Sequence, residues 1–312
     1  MKILVTGGAG FIGSHVVDAF VEKGHKVVVV DNLSSGKIEN VNPETKFYEV
    51  DITDLEKLEE IFEAEKPDVI DHHAAQISVV YSVENPQFDA NVNIIGSLNL
   101  ISLALKYHVK KFIYASTGGA VYGEPAYLPC DEKHPVDPLA PYGISKHSVE
   151  HYLYMTHVNF GLDYTVLRYA NIYGPRQDPH GEAGVVAIFS RKMLEGEEAH
   201  IFGDGYQERD FVFVKDVASA NLLALDFEME IKNSLDPIFN VGTGVGTNVN
   251  TIFNLIKKFT GYKGEPVYKP PRPGEVYKIY LDNKKIHSVM GWEPSVDLEE
   301  GLRLTVEWFK TN

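Results

Sequence analysis

The stretch Lys2-Ile3-Leu4-Val5-Thr6-Gly7-Gly8-Ala9-Gly10-Phe11-Ile12-Gly13-Ser14-His15 decides the fold. A short apolar run rich in β-branched residues predicts a buried strand, the glycines a tight turn, and the spacing that follows a helix. Glycines at 7, 10 and 13 allow a close backbone approach to pyrophosphate and close packing of the helix, whose N-terminus then faces the anion. Asp31 closes a second apolar run, Lys26 to Val30, 18 positions beyond Gly13. A carboxylate there suits ribose hydroxyls and repels a 2′-phosphate, so the pattern predicts NAD rather than NADP. The alternative is a structural turn with Asp31 as a helix cap. Asp51-Ile52, ending a third run, suits an adenine edge, or Asp51 caps the helix that starts near Thr53-Asp54.

The 312 residues, at about 150 per domain, allow one large or two modest domains. Hydrophobic residues make up 44% and charged residues 23%, an ordinary globular composition. With 29 basic against 44 acidic residues the formal charge is −15, which opposes phosphate backbones and anionic lipid, so no nucleic-acid or membrane partner is expected. Cys130, the single cysteine, cannot form an intrachain disulfide, and no CxxC pair offers a zinc site. Without a signal-like N-terminus or an apolar run of the roughly 20 residues a membrane helix needs, a cytoplasmic location is expected. The sequon at Asn32-Leu33-Ser34 reads as chance.

Further strands are predicted over Lys46 to Val50, Val69 to His72, Lys111 to Ala115 and Tyr164 to Leu167, with helices between them. Strand and helix alternating in this way, with runs buried on both faces, specify an α/β doubly wound parallel sheet (Rossmann). Long helices are expected at roughly 86 to 107, started by Asn85-Pro86, and at 142 to 159, with a terminal helix from about Leu298 to Thr311. The regular alternation loosens after Tyr173-Gly174-Pro175. The division expected is therefore an NAD-binding domain over 1–173 and a smaller C-terminal α/β substrate domain over 174–312, with segments near 211–244 as candidates to return to the first sheet.

Tyr142-Gly143-Ile144-Ser145-Lys146 places a phenol and an ammonium at i and i+4, about 6 Å apart on one helix face. Lys146, with an oxidised nicotinamide, is expected to lower the phenol enough for Tyr142 to act as a base. Ala115-Ser116-Thr117 would bring hydroxyls to the sheet's carboxyl edge beside it.

These stretches resemble those of extended short-chain dehydrogenases/reductases, closest to the UDP-glucose 4-epimerase (UDP-galactose 4-epimerase) family. The matches are TGGAGFIGSH, DNLSSG at Asp31 to Gly36, HHAAQ at His72 to Gln76, VYGEP at Val121 to Pro125, PYGISK at Pro141 to Lys146, RYANIYGPRQ at Arg168 to Gln177, GDGYQERDFVFVKDV at Gly203 to Val217 and RPGE at Arg272 to Glu275. The resemblance implies NAD-dependent C4 epimerisation of a UDP-hexose through a 4-keto sugar. It makes Thr117, Tyr142 and Lys146 catalytic, with Ser116 as the other candidate hydroxyl.

For the cofactor it implies Gly7, Gly10, Phe11, Ile12, Gly13, Asp31, Asn32, Ser35, Gly36, Asp51, Ile52, Ala74, Ala75, Gln76, Asn91, Ser116, Tyr142, Lys146 and Tyr169. For the UDP-sugar it implies Thr117, Tyr142, Asn171, Arg209, Arg272 and Glu275, the two arginines clamping the diphosphate. Ile279 is expected on the pocket wall near the sugar 2-substituent, and the two long helices resemble those that pair in family homodimers. Gly118-Gly119-Ala120 departs from the Asp-Glu pair of related dehydratases and the glutamate of related decarboxylases, which argues for epimerisation. The alternatives are another nucleotide-sugar enzyme of the same family, acting on UDP-N-acetylglucosamine or UDP-glucuronate or as a dehydratase or decarboxylase, and a non-catalytic dinucleotide sensor.

His147-Ser148-Val149-Glu150-His151 fits the HxxEH string of zinc peptidases, but its helix already carries Tyr142 and Lys146, and no metal is expected. Adjacent His72 and His73 point to opposite faces of a strand and read as a packed pair.

Overall fold

The computed structural model describes residues 1–180, 184–271 and 276–312. In chain order the first half runs β1 (Lys2–Thr6), α1 (Phe11–Glu22), β2 (Lys26–Asp31), β3 (Lys46–Glu49), α2 (Leu55–Glu65), β4 (Val69–His72), α3 (Val79–Glu84), α4 (Pro86–Ala90), α5 (Gly96–Lys106), β5 (Lys111–Thr117), α6 (Gly118–Val121) and α7 (Pro141–Phe160). The second half follows with β6 (Asp163–Tyr169), β7 (Asn171–Tyr173), α8 (Val185–Glu195), β8 (His200–Phe202), β9 (Glu208–Phe213), α9 (Val214–Asp226), β10 (Ile238–Val241), β11 (Gly246–Asn248), α10 (Val249–Thr260), β12 (Val267–Lys269), β13 (Lys278–Ile279), α11 (Lys284–Met290) and α12 (Leu298–Thr311).

The main sheet has seven strands in the order β10-β6-β5-β4-β1-β2-β3, all parallel. It is the doubly wound α/β arrangement expected, with the order reversing beside β1, where ligands of such sheets bind beyond the strand ends. The apolar runs serve both faces. Ile3, Val5, Val27 and Val29 pack under α1 and α9, whereas Leu4, Val28 and Val30 pack under α2, α5 and α7.

α4 and α5 form one continuous helix, Pro86–Lys106, through a π-helical turn at Asn91–Ile95. At 21 residues it is long and apolar enough to cross a membrane by length and composition, which corrects the sequence expectation. Its apolar side is instead partly used in the core, where Leu100, Ile101, Leu103 and Ala104 pack with α2 and α7.

Beyond Tyr173 the chain does not stay apart. β10 pairs with β6 at the edge of the main sheet, and α9 packs on α1. The remaining elements build a second layer in which β11, β9, β13 and β7 form one small sheet and β12 pairs with β8, over a core of α8, α10 and α12. Buried Asp210 joins the two layers, its carboxylate accepting the N–H groups of Thr243 (2.8 Å), Gly244 (3.1 Å) and Leu281 (3.2 Å).

Candidate active site

One cleft opens at the carboxyl ends of the parallel strands. Gly7 has φ +70°, and a Cβ on it would lie 2.6 Å from the Ala74 nitrogen. A Cβ on Gly13 would collide with the Gly7 carbonyl oxygen. The turn is thus closed to side chains, and the N-terminus of α1, with no side-chain cap, opens at Gly10, Phe11, Ile12 and Gly13 on the cleft wall. Asp31, Asn32, Ser35, Asp51, Ile52, Ala74, Ala75, Ser116, Tyr142, Lys146 and Tyr169 line the same cleft.

Asp31 also ties the turn, because its oxygens accept the N–H groups of Ala9 (3.0 Å) and Leu33 (2.8 Å). Burial raises its pKa and those hydrogen bonds oppose the rise. Asp51 accepts from Asn32 Nδ2 (2.7 Å) and Thr53 N (2.8 Å), while the cap of α2 is Asp54, which accepts from Lys57 N (3.2 Å). Gly36 lies behind Asp31. Gln76 is turned to Asn93 and Asp89 instead of the cleft. Asn91 is exposed outside it, and the asparagine facing inward is Asn93, two positions on and thus about 200° around the helix.

At the other end, Tyr142 and Lys146 rise from the first turns of α7, which Pro141 starts without a side-chain cap. Burial pushes the Tyr142 phenol up to about 12, with Asp89 adding to the rise and a hydrogen bond involving Thr117 opposing it. In the protein alone, burial outweighs any lowering of the phenol by the i+4 ammonium. Lys146, 3% exposed, sits 4.6 Å from the Tyr114 ring centroid, and burial brings it down to about 8 against the pull of Glu150 and Asp89. Its charge is engaged by those groups more than by the phenol.

Ser116 and Thr117 end β5, but they face different partners. Ser116 Oγ donates to Glu150 Oε1 at 2.6 Å. Thr117 Oγ1 and Asn171 Oδ1 flank Gly119, each 3.8 Å from where its Cβ would be, so they share one surface beyond the cleft. Arg209 is half-buried on β9, with Nη1 donating to the Glu208 carbonyl at 2.9 Å. Arg272 and Glu275 lie outside the described residues. Ile279, expected on the pocket wall, is buried among Val121, Tyr122, Cys130 and Leu281.

His147 Nδ1 donates to Glu150 Oε2 (2.8 Å), and its Nε2 shares a 3.0 Å hydrogen bond with His151 Nε2. Among the described residues no group of three His, Cys, Asp or Glu side chains is placed to hold a metal ion. His73, read from the sequence as half of a packed pair, lines the cleft beside Asp71 (3.0 Å), and the sequence reading gave no site role to the buried carboxylates of Asp89 and Glu150. Glu150 was within reach of the same i+4 spacing that singled out Lys146, but the peptidase-like string drew it into a different pattern.

A doubly wound sheet whose switch point carries a side-chain-free anion turn, with a tyrosine and a lysine on the same cleft, defines an enzyme of dinucleotide-dependent carbinol and carbonyl chemistry. Residues 3–242 match the family model described as NAD dependent epimerase/dehydratase family, and the chain belongs to that family. It is 57% identical to the UDP-glucose 4-epimerase of Thermotoga maritima solved with UDP-glucose, covering 100% of this chain and 99% of that one with a TM-score of 0.96. It is 44% identical to the Thermus thermophilus UDP-glucose 4-epimerase solved with NAD, covering 99% of each chain with a TM-score of 0.92. The UDP-glucose 4-epimerase of Mycolicibacterium smegmatis is 45% identical over 99% of both chains. The cleft fits NAD: its cradle is one that a Cβ at position 7 or 13 would fill, with a carboxylate at one end and a buried ammonium at the other.

Proposed function

We propose that the protein is an NAD-dependent epimerase that inverts C4 of a UDP-hexose, interconverting UDP-glucose and UDP-galactose through a transient 4-keto sugar. The observation that carries this reading is that Tyr142 and Lys146, with Thr117 hydrogen-bonded to the phenol, line the same cleft as the glycine turn. NAD, when bound, supplies a reversible hydride acceptor. The Gly7 to Gly13 turn and the α1 N-terminus would hold its pyrophosphate, Asp31 and Asp51 its adenosine half, and Lys146 its nicotinamide ribose.

Tyr142 removes the proton of the sugar 4-hydroxyl and returns it after the 4-keto sugar has turned in the pocket. Thr117 hydrogen-bonds the 4-oxygen. The buried Lys146 ammonium stabilises negative charge on the phenol as the proton moves. Asn171, Arg209 and Arg272 would anchor the nucleotide, leaving the sugar room to turn. Gly118-Gly119-Ala120 offers no carboxyl group for water elimination, which favours epimerisation over dehydration.

A homodimer is part of this reading. α7 packs beside the helix of α4 and α5, and the pair presents Phe88, Ile95, Ile144, Tyr152, Met155 and Val158 to solvent, an apolar stripe suited to a second copy. The single, fully buried thiol of Cys130 fits a cytoplasmic setting.

The test is a panel of UDP-glucose, UDP-galactose, UDP-N-acetylglucosamine and UDP-glucuronate, with the C4 configuration followed by NMR. Interconversion of the glucose and galactose forms without net NADH production supports the proposal. No isomer change with either overturns it.

A further inference from the structure

The Tyr142 and Lys146 face of α7 continues one turn further to Glu150, whose carboxylate is buried at 3% exposure. Four hydrogen bonds reach it from three elements. Ser116 Oγ donates at 2.6 Å from β5, Arg168 Nε and Nη2 donate at 2.9 and 2.5 Å from β6, and His147 Nδ1 donates at 2.8 Å from its own helix. Ser116 precedes Thr117 in the chain and Arg168 precedes Tyr169, so this carboxylate clamps both strand ends that flank the cleft.

Resting on the function proposed above, we infer that Glu150 is a positioning residue for the epimerase reaction: its buried carboxylate, one helical turn beyond Lys146 on α7, fixes the end of β5 and sets a negative charge beside that ammonium. The charges around Lys146 can be followed from every side. α7 contributes Tyr142 and Glu150, α4 contributes Asp89, β4 contributes His72, and β5 contributes Tyr114. Arg168, from β6, faces Glu150. His72 is neutral at working pH, with both ring nitrogens hydrogen-bonded, to Thr6 and Ser97, and burial holding its pKa well below the usual value. Burial pushes the phenols of Tyr114 and Tyr142 upward, so they are neutral too. Two anions remain, Asp89 and Glu150, and they answer two buried cations, Lys146 and Arg168.

The balance is close. Burial draws Lys146 down to about 8, with Glu150 the larger of the two opposing influences and Asp89 the smaller. Removing the Glu150 charge therefore lowers Lys146 further and reduces the fraction present as ammonium near neutral pH. A proton wire through Ser116, Glu150, His147 and exposed His151 is disfavoured. Burial alone would raise the Glu150 carboxyl, but Arg168, His147 and Ser116 hold it at about 2, too acidic to carry the proton.

The test compares the NAD-loaded parent with Glu150→Gln, Glu150→Gln/Arg168→Gln and His151→Gln. It reads Lys146 by NMR of isotopically labelled lysine, kcat and KM against pH, and thermal melting. In E150Q, Lys146 should titrate about one pH unit or more lower, and kcat at pH 8 should fall about fivefold or more while KM for UDP-glucose stays within about threefold. Because the ammonium is the active form, the loss should be smaller at pH 6. The neutral amide pair of the double variant should recover melting temperature but keep the lowered titration, and it carries the test if E150Q does not fold.

A Lys146 titration and pH profile like the parent's in the double variant would reduce Glu150 to a structural ion pair and overturn the inference. A loss in H151Q equal to that in E150Q would also overturn it, in favour of proton transfer. If the parent itself interconverts no UDP-sugar, the proposed function fails, while the Lys146 titration still decides the role of Glu150.

Discussion

The two ends of the cleft are built by opposite means. At the glycine turn the site is main chain: Gly7 and Gly13 exclude side chains by collision, and the recognition elements are N–H groups and a helix dipole. At the tyrosine end it is side chains brought from three elements, Asp89, Lys146, Glu150 and Arg168, all buried and balanced in charge. A site made of backbone is fixed by local geometry and tolerates almost no added atom. A site made of buried charges depends on each partner staying in place, and its chemistry moves with pH.

The contrast can be broken from either side. Tyr142→Phe should have the largest effect, lowering kcat by about 10³-fold while KM and bound NAD stay near the parent's, as read by C4 NMR turnover and cofactor content. Gly13→Ala attacks the other end. Displacing the turn by about 2 kcal/mol should weaken NAD retention roughly 30-fold, measured by calorimetry on stripped protein, and leave the Lys146 titration unchanged. If Tyr142→Phe also sheds NAD, or Gly13→Ala also shifts Lys146, the ends are not independent.

Ile144→Asp with Met155→Asp, on the exposed face of α7, should convert a dimer to single chains in sedimentation without touching either end of the cleft. The smallest effect is expected at Glu65, at the far edge of the sheet. Burial would raise its carboxyl, but Lys46, Tyr48 and Lys2 hold it at about 2, below its ordinary 4.5. Its stabilisation is complete above pH 4.5 and is lost as the pH falls toward 2. Glu65→Gln should therefore lower the melting temperature by about 3 °C at pH 7, with the difference closing in acid.

The glycine turn was legible because its message is contiguous: strand, turn, helix and Asp31 lie within one βαβ unit, and their spacing carries the physics. The six strands predicted for the main sheet, from Lys2 to Leu167, are present, because β-branched runs buried on both faces have few other solutions. β10, at the sheet's edge after a long excursion, could only be suspected. Asn91 was named and Asn93 was not, because a sequence does not show how a helix is rotated, and a shift of two positions turns a side chain to the opposite side.

The chain by itself determined the doubly wound sheet, the anion turn and the pairing of Tyr142 with Lys146, since each follows from local periodicity or from i+4 spacing. Tertiary structure alone decided the charge state of that pair. Whether Lys146 acts on the phenol or is engaged by Tyr114, Asp89 and Glu150 depends on burial and on groups from distant segments. Desolvation and Coulomb attraction act through space, at distances that sequence separation does not encode.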